Sequence, residues 1–121
     1  MMNEAFGQKI KSLRKEKKLT LRELSNKSKI ELTYLSKIEN NKTGGNSAEV
    51  ATIEKLADAL GVDANTRDEL FHLGKQMPPD IKDNYNQSKF ALEIYRSVKD
   101  LNEEDLLKIV NEIKRKKLPK K

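Results

Sequence analysis

Hydrophobic positions along this chain recur at helical spacing. Phe6, Ile10 and Leu13 fall on one face of a first helix that ends near Lys17, with Lys and Arg on the other face. Thr20 then reads as an N-cap, and Glu23 three residues later completes a capping box. This pair opens a short helix, Leu21 to Ser28, with Leu21, Leu24 and Ser25 facing inward. Ile30 is the apolar residue of a polar link and reads as a plug beneath the turn. Glu31 is a weak cap for a third helix, about Leu32 to Asn40, whose buried contacts are Leu35 and Ile38.

The stretch ENNKTGGNS reads as a loop, because Asn and Gly accept positive φ. Ser47 is the expected cap of a fourth helix, Ala48 to Leu60, and Gly61 its C′ residue. Asn65 is the expected cap of a fifth, Thr66 to Leu73, closed by Gly74. Pro79 suits the first position of a short helical turn. Ser88 and Asn102 are the expected caps of two further helices, Lys89 to Lys99 and one beginning after Asn102. Leu101 and Leu106 have the spacing of a hydrophobic staple. The whole pattern lacks strand-like alternation, so the expected fold is all-α. It divides into five helices over 1–76, a linker over 77–88, and a helical hairpin with a basic tail over 89–121.

Composition narrows the chemistry. Charged residues make up 36% of the 121 positions, and the net charge is +6. Such a balance suits nucleic acid, an acidic partner or a membrane surface without choosing among them. The chain has no Cys, which excludes disulfides and thiolate metal sites. The start MMNEAFGQK lacks the apolar run of a signal peptide, and no stretch reaches the roughly 18 apolar residues of a membrane span. A cytoplasmic protein is expected. No metal cluster, Gly-rich phosphate loop or nucleophile–base pair stands out, so neither a cofactor nor an enzyme is expected. His72, the single His, reads as a core or surface residue and not as a ligand.

The segments LRKEKKLTLRELS, Ile30, YLSKIEN and IEKLADALGV, taken together, resemble the phage-repressor-like helix-turn-helix family, the XRE family. The resemblance covers Phe6 to Leu73 and implies that the third helix enters a DNA major groove. It implies base contacts from Leu32, Thr33 and Lys37, since Lys suits guanine O6 and N7 and Thr or Leu suits a thymine methyl. It implies phosphate contacts from Thr20, Tyr34, Ser36, Asn40, Lys42 and Thr43, which position without specifying sequence. It implies a structural salt bridge between Arg14 and Glu39. Plainer readings stand beside these: Tyr34 as half-buried core, and Lys37 as a solvated lysine. Two departures are visible. Leu21 stands where relatives often have Gln, and Lys29 stands where Gly is common in the turn.

LGKQMPPDI and DLNEEDLLKIVNEIK resemble the tail of repressors from phages and mobile elements. Some of those are inactivated by an antirepressor protease. Phe90, Ile94, Val98 and Leu101 are expected to face Leu106, Ile109, Val110 and Ile113, with a second copy burying what remains. The alternative is that both stripes pack on the N-terminal domain of the same chain. The expected function is a dimeric repressor of a phage or mobile-element operon on a palindromic operator. The alternative is an antitoxin that neutralises a toxin partner through the hairpin and regulates its own operon.

Overall fold

The computed structural model describes residues 3–42 and 48–117. Among them are eight helices and no strand. They are α1 (Asn3–Glu16), α2 (Leu21–Ser28), α3 (Leu32–Glu39), α4 (Val50–Leu60), α5 (Ala64–Leu73), α6 (Pro79–Gln87), α7 (Ala91–Val98) and α8 (Glu103–Lys117). The chain divides into two units, one running to Lys82 and the other starting at Asp83. No described helix is long and apolar enough to cross a membrane.

The first unit is built on one apolar core. Phe6 and Ile10 of α1, Leu24 of α2, Leu35 of α3, Ile53 and Leu56 of α4, and Leu70 and Phe71 of α5 are essentially inaccessible. α1 packs on α3, α4 and α5, while α2 packs on α3 and α4. Side-chain caps mark where two of these helices, α2 and α5, begin. Thr20 Oγ1 accepts from the Glu23 amide at 3.0 Å, and the Thr20 amide donates to Glu23 Oε1 at 2.7 Å. α5 starts two residues earlier than the periodicity predicts, because Asp63 is its cap instead of Asn65. Asp63 Oδ1 accepts from the Thr66 amide at 2.8 Å, and this bond holds the carboxyl below its ordinary range. α4 starts at Val50, two residues later than predicted, and its N-cap position is Glu49 and not Ser47, which itself lies outside the described residues. Pro79 opens a nine-residue helix in place of a single turn.

Helix ends in this chain use an unusual set of residues. Lys18, Lys29, Asn41 and Lys75 all have positive φ, between 59° and 63°. At Lys18, Asn41 and Lys75 the following amide bonds back to a carbonyl five residues earlier, as it does after Gly61. Lys29 closes α2, its amide donating to the Ser25 carbonyl at 2.9 Å. A left-handed non-Gly residue carries strain of about 1 kcal/mol. A lysine partly offsets it, because its charge sits at the negative end of the helix.

Two features set α3 against α1. Gly7 is buried, and a Cβ there would collide with the Ile38 carbonyl oxygen and come within 2.7 Å of Asn41 Oδ1. Arg14 holds Glu39 in a two-point pair, Nε to Oε2 at 2.8 Å and Nη2 to Oε1 at 2.9 Å. Its Nη1 donates to the Leu19 carbonyl at 2.8 Å. The side chains of Arg14 and Glu39 are only 13% and 4% exposed. The hydrogen bond to Glu39 raises the Arg14 pKa further above its ordinary range. With a raised pKa, deprotonation of Arg14 removes this contribution only in strongly alkaline solution.

Four stability outcomes follow from this geometry. Arg14→Ala leaves a buried carboxylate unpaired and is expected to cost about 3–5 kcal/mol in urea unfolding. Replacing both partners, Arg14→Met with Glu39→Leu, should cost less than either Arg14→Ala or Glu39→Ala alone. Gly7→Ala should destabilise by roughly 1–3 kcal/mol, since the obstacle is backbone and not a movable side chain. Lys29→Gly should instead stabilise by roughly 0.5–1 kcal/mol, seen as a higher urea midpoint at unchanged slope.

Candidate nucleic-acid interface

The link between α2 and α3 is a built turn. Ile30 is buried at 6% exposure beneath it, as its place in a polar link predicts. Two serines satisfy the backbone around that plug. Ser25 Oγ donates to the Ile30 carbonyl at 2.5 Å, and the Ile30 amide donates to Ser28 Oγ at 3.3 Å. Sequence reasoning overlooked this role. The signal for it was two serines three apart on α2, just ahead of an isolated apolar residue.

α3 divides cleanly into an inner and an outer face. Leu35, Ile38 and Glu39 are buried. Thr33 and Lys37 are exposed, one helical turn apart, and therefore lie side by side on the surface. Ser36 and Leu32 are half-buried, and so is Tyr34, which packs partly against the core. Glu31 makes no side-chain bond at the N-terminus of α3, so the first-turn amides lack a cap there.

The residues expected along the phosphates differ in how free they are. The Thr20 hydroxyl is committed to capping α2, and the Glu23 carboxylate lies in the same first turn. Asn40 Nδ2 donates to the Ser36 carbonyl at 2.9 Å and approaches Ser36 Oγ at 3.4 Å. Lys42 is exposed. Thr43 lies outside the described residues. Around this surface Lys15, Lys17, Lys18, Arg22, Lys27 and Lys29 are all exposed. Arg14 is instead committed to Glu39 and Leu19. His72 is exposed in the last turn of α5. Among the described residues no three His, Asp or Glu side chains gather as a metal site.

A buried turn between α2 and α3 and an inward anchor at the end of α3 are the parts of a helix-turn-helix. Comparison with known proteins agrees. The family described as "Helix-turn-helix domain" matches residues 7–74. The chain is 42% identical over 59 residues to the HTH-type transcriptional repressor RghR of Bacillus subtilis (strain 168), covering 49% of this chain and 42% of that protein. It is 46% identical over 57 residues to the uncharacterized HTH-type transcriptional regulator RghRB of the same organism, covering 47% and 40%. It is 39% identical over 56 residues to the immunity repressor protein of Bacillus phage phi105, covering 46% and 37%. The chain thus spans about two fifths of the length of these curated relatives. No solved structure matches it. With more than half of its length matched, the chain belongs to the helix-turn-helix domain family.

Proposed function

We propose that this chain is a sequence-specific transcriptional repressor that binds a palindromic operator as a homodimer. The observation that carries the proposal is the outer face of α3. Thr33 and Lys37 stand exposed and adjacent there, while the inner face is anchored by a buried two-point ion pair. Lys37 has the reach and charge for guanine O6 and N7, and Thr33 suits a base edge or a thymine methyl. Leu32 offers apolar contact only. Lys42, with Tyr34, Ser36 and Asn40, would follow the phosphates, and the capped N-terminus at Thr20 would lie beside the same strand. The names of the relatives support a repressor, one of them a phage immunity repressor. A phage or mobile-element operon is the corresponding regulatory setting.

Selection of bound DNA from a random pool, at stated salt, tests this reading. An inverted repeat is expected, with half-site centres about 34 Å apart or a multiple of that. Affinity should fall steeply as salt rises, because each phosphate contact releases counterions. Lys37→Ala should lose about 1–3 kcal/mol of discrimination at one base position, whereas Lys42→Ala should weaken all sequences alike and flatten the salt slope by about one. Uniform weakening by Lys37→Ala would remove it from base reading. No enrichment at low salt would sink the repressor proposal.

A further inference from the structure

The second unit carries apolar surface that the chain leaves in water. Phe90 and Ile94 at α7 are 56% and 61% exposed, and Ile109, Val110 and Ile113 of α8 are 36%, 43% and 51% exposed. α7 and α8 make scarcely any contact with each other along their lengths. The expected closing of one stripe on the other within the chain is therefore not what covers them. Val98 and Leu106 reach only half-burial, and Leu101 stays exposed. A contiguous exposed apolar stripe marks an interaction surface.

The charges of α8 indicate the occupant. Glu103, Glu104 and Asp105 fill its first turn, and Lys114, Arg115, Lys116 and Lys117 fill its last. Leu106, Ile109, Val110 and Ile113 lie between the two clusters. The apolar stripe and the charge pattern share one centre, between Ile109 and Val110. A second α8 laid antiparallel about a twofold axis at that point satisfies both patterns. Leu106 then meets Ile113 of the second copy, and Ile109 meets Val110. Each acidic first turn lies beside a basic last turn. At about 100° per residue, Glu103 and Lys114 flank one side of the stripe and Asp105 and Lys116 the other. Antiparallel pairing brings like flanks together, so these become cross-chain ion pairs. Parallel pairing would set acid on acid and base on base.

We propose that α8 pairs antiparallel with α8 of a second copy of this chain, in a register centred between Ile109 and Val110. The interface is isologous, the same patch being used twice. Stable interfaces bury roughly 1,200–2,000 Å² in total, so the α7 stripe of Phe90 and Ile94 contributes as well. The proposal rests on the dimeric reading given above, and its test does not depend on DNA.

The absence of Cys lets single cysteines report the register in the full-length chain. Leu106→Cys and Ile113→Cys chains, mixed and gently oxidised, should give the mixed disulfide dimer in about tenfold excess over either homodimer. Homodimers of Leu106→Cys would indicate parallel helices and overturn the proposal. Sedimentation of the unmodified chain should show a dimer at micromolar concentration. A monomer would overturn the pairing and leave the face to a partner of other chemistry, such as a toxin. Glu103→Lys with Asp105→Lys should weaken the dimer about tenfold at low salt. Adding Lys114→Glu and Lys116→Glu to the same chain should restore it, and failure to restore would overturn the register. A chain that cross-links in this register yet enriches no DNA would keep the pairing and sink the repressor reading. Enrichment of an inverted repeat without the mixed disulfide would do the reverse.

Discussion

The orientation of α3 depends on one guanidinium. Apolar contacts such as Leu35 and Ile38 hold α3 against the core, but burial is non-directional and tolerates rotation of the helix. The two-point pair from Arg14 to Glu39 does not, because its planar fork accepts only one approach. The third arm of the same side chain binds the Leu19 carbonyl, just ahead of the α2 cap. One residue of α1 therefore ties the entry to α2 and the exit of α3 to a common point. Gly7 supplies the complementary constraint. It sets how near α3 comes, through the Ile38 carbonyl, while Arg14 sets how α3 is turned. A buried ion pair is weak evidence of net stability, since desolvation offsets much of the attraction. Its use here is registration: together with the buried Leu35 and Ile38 it holds the turn of α3 at which Thr33 and Lys37 face outward.

Much of this was readable from residue spacing. The capping box at Thr20 and Glu23, the plug at Ile30 and the bounds of α2 rest on local rules that the rest of the fold does not override. Arg14 with Glu39 was legible only through family resemblance, because nothing local links residues 25 apart. The misplaced start of α5 shows the limit of cap rules. Asp63 and Asn65 are both good caps, and only the backbone geometry selects the earlier one. Gly7 was illegible for a different reason. A glycine inside a helical pattern looks like a weak helix former, and its value lies in a carbonyl from α3 that spacing along α1 cannot reveal. Of the left-handed lysines, Lys29 was visible through the family resemblance, as standing where Gly is common, whereas Lys18 and Lys75 were hidden in the same way as Gly7. Lysine is not the residue expected at positive φ, although three of the four non-Gly cases among the described residues are lysine.

Those lysines also link folding to charge. Lys18, Lys29 and Lys75 each sit where a helix ends, and there a cation interacts favourably with unpaired carbonyls. Part of the basic balance that composition leaves open to nucleic acid, an acidic partner or a membrane surface thus has a structural function. The positive charge most free to meet a phosphate lies on side chains without such a duty, Lys42 and Arg22 among them.

The two units obey different physics, and this bears on how binding to DNA would be measured. The first unit closes its own core around α3. The second leaves its apolar stripes open, and a second copy is the proposed cover. Joining two readers through such a pair makes the second half-site contact intramolecular, so the apparent affinity for a full operator exceeds that for a half-site by an effective-concentration factor. Salt then acts twice. It weakens the phosphate contacts of each reader, and it screens the charged ends of paired α8 helices. A salt slope taken below the dimer dissociation constant would add the two effects and overcount phosphates. Taken well above it, the slope reports the α3 interface alone, and the difference between the two slopes measures the electrostatic share of the α8 pair.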